Sequence, residues 1–260
     1  MKSRVTLFCL VVFVASAWYP TAAKAQAIKD GLVGYWTFDK KDTDAKGAKD
    51  SVGKHDGTVM GKPEIVEGKV NEALSFNGKE DYVVLGAVTD GLDLTYAMWI
   101  KVDKLPAGPK VIIWDDDPQG GGDSWIELLA DGKVQTQRGG DGFGVFSTKT
   151  LVKAGEWTHI AFVADEKNDK KLLYLNGAPD AESGGKIMSR ATRSHVVVAV
   201  GHDRGAFRGP PLSFFEGVID DVAIYLRALS AKEIKEMVAK AAAVDAAGKL
   251  ALTWGAIKIQ

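Results

Sequence analysis

Short runs of β-branched and aromatic residues recur along this chain, and glycine-bearing turn dipeptides separate several of them. That rhythm restricts the fold more than any other feature, because the segments between the runs show almost none of the helical periodicity that crossover helices would need. The runs are Leu32–Phe38, Ala73–Phe76, Tyr82–Leu85, Leu94–Val102, Val111–Trp114, Ser124–Leu129, Lys133–Gln137, Trp157–Ala164, Leu172–Leu175, Val196–Val200 and Val218–Leu226. Asn77-Gly78, Asp131-Gly132 and Asn176-Gly177 are hairpin dipeptides, in which glycine takes the positive φ of a tight turn. The expectation is an all-β chain folded as a two-sheet antiparallel β-sandwich. One segment breaks the rhythm. Ser230-Ala-Lys-Glu233 reads as a capping box, and Ile234, Met237, Val238 and Ala241 follow at helical spacing. This predicts one amphipathic C-terminal α-helix of about four turns.

The first 25 residues belong to a different class of segment. Lys2 and Arg4 precede an apolar run from Val5 to Ala17, and Ala23-Lys24-Ala25 offers a small-x-small cleavage pattern. A run of about 13 residues falls short of the roughly 20 that span a bilayer as a helix. A signal peptide over 1–25 with a mature start near Gln26 is expected, and a retained anchor is the alternative. Cleavage removes Cys9, the only cysteine, and leaves 30 basic against 34 acidic residues. Disulfides and thiol chemistry are then excluded. The charge balance argues against a polyanion-binding surface, so no nucleic-acid partner is expected. No second apolar stretch of spanning length follows, so no stable membrane insertion is expected after cleavage, and a secreted or periplasmic location follows. Without a Pro- or Ser-rich linker, residues 26–243 read as one domain, with 244–260 as a tail or extra strand.

Four segments carry a family pattern. They are Gly31-Leu-Val-Gly-Tyr-Trp-Thr-Phe-Asp39, Ala73-Leu-Ser-Phe-Asn-Gly78 with Asp81-Tyr-Val-Val84, Gly155-Glu-Trp-Thr-His-Ile-Ala-Phe162 with Leu173-Tyr-Leu-Asn-Gly177, and Ile219-Asp-Asp-Val-Ala-Ile-Tyr225 with Arg227-Ala-Leu-Ser230 and Glu233-Ile234. In this order they resemble the opening strand, next hairpin, central hairpin, and closing strand and helix of the laminin-G-like jelly-roll domains of the concanavalin A-like lectin/glucanase superfamily. The resemblance implies a jelly roll. It leaves function open among calcium-dependent binders, glycan-binding modules and enzymes.

Catalytic patterns are missing from the sequence. Laminarinase-type hydrolases of this superfamily carry Glu-x-Asp-x-(x)-Glu on one strand, which sets acid and nucleophile on one face. Here Glu127 sits in Trp125-Ile-Glu-Leu-Leu-Ala-Asp131, with leucines where acids are needed. Gly-x-Ser-x-Gly, His-Glu-x-x-His and phosphate-loop motifs are absent as well. The chain therefore reads as a non-enzymatic binding module for a glycan or cell-surface protein. An enzyme with an unrecognised carboxylate site and a structural envelope protein are the rivals.

Three loops offer the residues for such binding. Asp115 and Asp117 open an acidic, glycine-rich stretch near Trp114 and Trp125; Arg138 begins a glycine-rich loop; His202 and Arg204 lie in a third. Asp115, Asp117, Trp125, Arg138, His202 and Arg204 are the candidate ligand-binding residues, each alternatively a plain surface residue. A groove of aromatics and amides would favour binding, and paired carboxyl groups an enzyme. His159, mid-strand beside Trp157, reads as structural. Asp39 and Asp220 occupy positions where relatives have acids, and are the candidate ligands of a structural calcium ion, helped by backbone carbonyls and by Asp50 or Asp221. The alternatives are a surface Asp220 or one hydrogen-bonded to backbone N–H groups.

Overall fold

A computed structural model describes residues 29–52, 54–86, 93–116, 124–138, 144–147, 149–185, 187, 195–201 and 213–243. In chain order their strands are β1 Leu32–Trp36, β2 Gly47–Ala48, β3 Gly57–Met60, β4 Glu64–Glu67, β5 Glu72–Asn77, β6 Tyr82–Gly86, β7 Leu94–Lys101, β8 Lys110–Asp116 and β9 Ser124–Leu128. The series continues with β10 Val134–Arg138, β11 Val145–Phe146, β12 Thr158–Asp165, β13 Lys170–Leu175, β14 Ala178–Gly184, β15 His195–Val198, β16 Val200–Gly201, β17 Ser213–Phe214 and β18 Glu216–Tyr225. Helix α1 covers residues 231–243.

The strands form two large antiparallel sheets. The first runs β14-β13-β12-β7-β18-β5-β4, with β1 also paired to β18; the second runs β11-β10-β9-β8-β15-β6-β3-β2. Alternation sends one face of each sheet inward. Tyr96, Met98, Ile160, Phe162, Ile219 and Ile224 of the first sheet share one apolar cluster with Leu85, Ile113, Ile126, Leu128 and Val134 of the second. Each such side chain contributes about 1.5–3 kcal/mol through its removal from water. The fold is the expected β-sandwich.

The central strands of the first sheet are buried on their other face too. Register aligns Tyr35, Ala223, Ala97, Ala161 and Tyr174 across β1, β18, β7, β12 and β13. Three adjacent alanines leave a shallow floor between two tyrosines. Leu229, Ile234 and Met237 join these residues in a second apolar cluster, so α1 lies against that floor. The expected capping box starts the helix: Ser230 N donates to Glu233 Oε2 at 2.8 Å, and Glu233 N donates to Ser230 Oγ at 3.4 Å. Arg227 also grips Glu233, at 2.6 Å.

Two of the three turn dipeptides behave as expected. Asp131-Gly132 joins the paired strands β9 and β10, and Asn176-Gly177 joins β13 and β14. Asn77-Gly78 does not close a hairpin. It leads from β5 in the first sheet to β6 in the second. Asp81 causes the departure: its buried carboxylate accepts from Asn77 N at 3.1 Å and Lys62 N at 2.7 Å. Asn77 Oδ1 meanwhile accepts from the amides of Lys79 and Glu80. These bonds stabilise a wider corner that carries the chain between layers.

Candidate functional site

Two places combine polar chemistry with a fixed geometry. The first is the outer face of the second sheet. Ile113, Ile126, Leu128 and Val134 enter the core, so alternation turns Trp114, Trp125, Glu127, Gln135 and Gln137 outward. A bulge in β8 between Val111 and Ile113 keeps this phase by sending Ile112 and Ile113 inward together. Register then sets Trp114, Trp125 and Gln137 side by side across β8, β9 and β10. A second row holds Val111, Glu127, Gln135 and the exposed Phe146. With strands about 4.8 Å apart, each row is roughly 10–15 Å long.

The row offers flat apolar rings beside amides that donate and accept. The indole Nε1 of Trp114 is itself buried, with no acceptor among the described residues. Glu127 is half-buried, and burial holds its carboxyl above the usual carboxylate range. Of the side chains described on these rows, it alone carries a carboxylate.

Directly beneath lies a polar group that faces inward. Asp115, Ser124 and Arg138 are register partners on the same three strands, and all are buried. Arg138 Nη1 donates to Ser124 Oγ at 3.1 Å and lies 3.9 Å from Asp115 Oδ2. The sequence reading assigned Asp115 and Arg138 to a ligand-binding rim. The fold corrects that placement, because alternation puts both on the inner side and removes them from solvent. They tie together the strands that display Trp114, Trp125 and Gln137. Trp125 does face outward. Asp117, His202 and Arg204 lie outside the described residues. Gln135 and Gln137 were missed, although the alternation of Val134-Gln-Thr-Gln-Arg138 carried the signal.

The second place is an acidic centre beside β1 and β18. Asp39 and Asp220 hold the same loop, residues 68–72. Asp220 Oδ2 accepts from Lys69 N at 2.8 Å and Val70 N at 3.0 Å. Asp39 accepts from Glu72 N at 3.2 Å and Asn71 Nδ2 at 3.3 Å, and pairs with Lys41 at 3.2 Å. Gly68 is required there, since a Cβ would stand 2.7 Å from both Asp220 Oδ2 and the Glu72 backbone. Phe38, Asn71 and Asp221 all take left-handed φ values, of 56°, 58° and 52°, a conformation that favours glycine or asparagine and concentrates strain at this point.

Electrostatics make the centre demanding. Burial, then the neighbouring Asp221 and Asp39, raise the Asp220 carboxyl well above its ordinary range, against the two amide bonds that lower it. Asp221 is pushed up to about 7, chiefly by burial. Its Oδ1 accepts from Tyr35 Oη at 2.5 Å, and burial with this acidic neighbour pushes the Tyr35 hydroxyl up, so it stays a donor. Asp220 Oδ1 is buried without a partner. Asp50 has a separate task, since it accepts from the amides of Tyr35, Val52, Lys54 and His55. Among the described residues, no three acidic, histidine or cysteine side chains form a ready-made metal cage. Calcium here would depend on backbone oxygens, and the unpartnered Asp220 oxygen is the feature that fits it.

Comparison with known proteins follows the same lines. A laminin G family model, described as concanavalin A-like lectin/glucanases superfamily, matches residues 77–235. Among solved structures, domain 4 of AbnA, a GH43 extracellular arabinanase from Geobacillus stearothermophilus in complex with arabinotriose, is 21% identical with a TM-score of 0.62, covering 80% of this chain and 98% of that one. Trypanosoma rangeli sialidase in complex with sialic acid is 19% identical with a TM-score of 0.61, over 82% of this chain and 33% of the sialidase. The binding domain of Paraclostridial Mosquitocidal Protein 1 is 18% identical with a TM-score of 0.62, over 80% and 52%. At these identities the likeness is one of fold. This chain spans about a third of the sialidase's length. No curated protein matches the chain in sequence.

Proposed function

The chain belongs to the concanavalin A-like lectin/glucanases superfamily, and from that premise we propose that it is an exported, non-catalytic binding module for glycans, steadied by a structural calcium ion. The observation that carries the reading is the row of Trp114, Trp125 and Gln137, with Gln135 and Glu127 beside it. Indole faces stack on the C–H faces of sugars, and amides match hydroxyls that both donate and accept. The arabinotriose complex of a similarly folded domain supports the same ligand class.

A non-catalytic role is supported by the carboxylate arrangement. Glycosidases use two carboxyl groups about 5–5.5 Å or 6.5–9.5 Å apart, whereas the cross-strand neighbours of Glu127 are Val111 and Gln135. The test is titration of the mature protein against immobilised glycans. Trp125→Ala is expected to weaken binding at least tenfold with its melting temperature little changed. Wild-type-like binding by this folded variant would overturn the assignment. Binding to a cell-surface protein with no glycan response would favour the rival reading.

Asp39 and Asp220 would hold the calcium ion together with backbone carbonyls, and the ion would add to the positive charge that Lys41, paired with Asp39, brings to a centre of three aspartates. Because it would bind only the folded chain, saturating calcium should raise the melting temperature by about 5 °C over chelator. Asp220→Asn should abolish that difference. Identical curves in calcium and chelator, for protein freed of metal beforehand, would leave the loop 68–72 held by hydrogen bonds alone. Export is proposed from the 1–25 leader. Among the described residues, no helix is long and apolar enough to cross a membrane. N-terminal sequencing should find a start near Gln26, and an intact Met1 on a membrane-bound form would refute it.

A further inference from the structure

We propose that the outer face of the second sheet selects uncharged glycans over glycans bearing carboxylate or sulfate groups, and that Glu127 makes the selection. This rests on the reading of that face as a glycan site. Glu127 lies two residues from Trp125 on the same strand, so their side chains share one face. A ligand stacked on Trp125 therefore passes within a few ångströms of the carboxylate.

No described base neutralises Glu127 from the flanking strands. Its register partners are Val111 on β8 and Gln135 on β10, and Phe146 on β11 lies beyond Gln135. Lys133 pairs with Asp131 at 3.1 Å, and Lys110 is registered with the inward Leu128. The carboxylate is half-buried, so solvent screens it less than a fully exposed one, and burial already disfavours its charge. Two like charges about 6 Å apart, at an effective dielectric near 20, disfavour binding by about a hundredfold, and salt lowers this toward tenfold. An uncharged sugar meets no such opposition, and its hydroxyls donate to the carboxylate and exchange hydrogen bonds with the Gln135 and Gln137 amides.

The experiment is an array of neutral and of carboxylated or sulfated glycans, probed with the mature wild-type protein, Glu127→Gln and Trp125→Ala. The readout is the ratio of neutral to acidic binding, whatever the absolute strength. Wild type is expected to favour neutral glycans by at least tenfold at low salt, with the preference shrinking as salt rises. Glu127→Gln should reduce the ratio about tenfold, and Trp125→Ala should lose both classes. An unchanged ratio in Glu127→Gln, or a wild-type preference for acidic glycans, would overturn the charge selection while leaving the glycan site standing. Wild type binding no glycan would remove the site and this inference with it.

Discussion

His159 is 2% exposed, with its ring edge-on to Trp99 at a centroid distance of 5.1 Å and its Nδ1 without a partner. Burial lowers its pKa from 6.5 to about 3. The folded chain thus keeps a neutral imidazole where the unfolded chain takes up a proton. Its contribution is whole above pH 6.5 and is lost as pH falls toward 3. By pH 4 the loss is about 3 kcal/mol. Urea denaturation at pH 7, 5 and 4 should show this slope, and His159→Phe should flatten it; the same slope in the variant would place the acid lability elsewhere. A structural histidine was legible from its mid-strand position. Its neighbour was not, since the sequence points to Trp157 and register selects Trp99. The same limit explains Asp115 and Arg138. A charged residue next to a glycine-rich loop looks like surface, and only strand phase reveals that it faces the core.

At the scale of elements, α1 depends on the alanine floor more than on its own sequence. The capping box and apolar stripe were readable in the chain, but isolated helices of about 13 residues are marginal in water. Ala97, Ala161 and Ala223 supply the missing stability by letting the helix approach the sheet. Ala161→Leu should overfill that space and destabilise the protein by about 1–3 kcal/mol. The loss should be accompanied by faster hydrogen exchange in residues 231–243. Slow exchange there, with wild-type stability, would mean the floor tolerates the added volume. The alanines gave no signal in sequence because they lie on three distant strands. Strands β2, β3, β4, β11, β14 and β17 were likewise unseen: all but β14 are two to four residues long with at most two consecutive apolar residues, and β14 carries Pro179, Asp180 and Glu182. Asn77-Gly78 misled for a different reason, because Asp81, beyond the dipeptide, decides the path.

Over the whole molecule, the two-layer architecture was legible because nearly every long strand announces itself by its own residues. The acidic centre was legible in part. Asp39 and Asp220 were picked out, but not the loop between them, since residues 68–72 contain no motif of their own. That centre lies where β1 meets β18, the first and last strands of the described chain. Strand β18 also fills the space between β7 and β5. During synthesis, β7 is complete at Lys101, yet its partner is unfinished until Tyr225. At about 10 residues per second, the wait is roughly twelve seconds. Throughout it the nascent chain has one unsatisfied ladder in its middle, and no N-terminal fragment can close the first sheet. Closure of the first sheet is therefore the step that waits on β18, and a chain cut short before Tyr225 lacks the strand that joins β7 to β5.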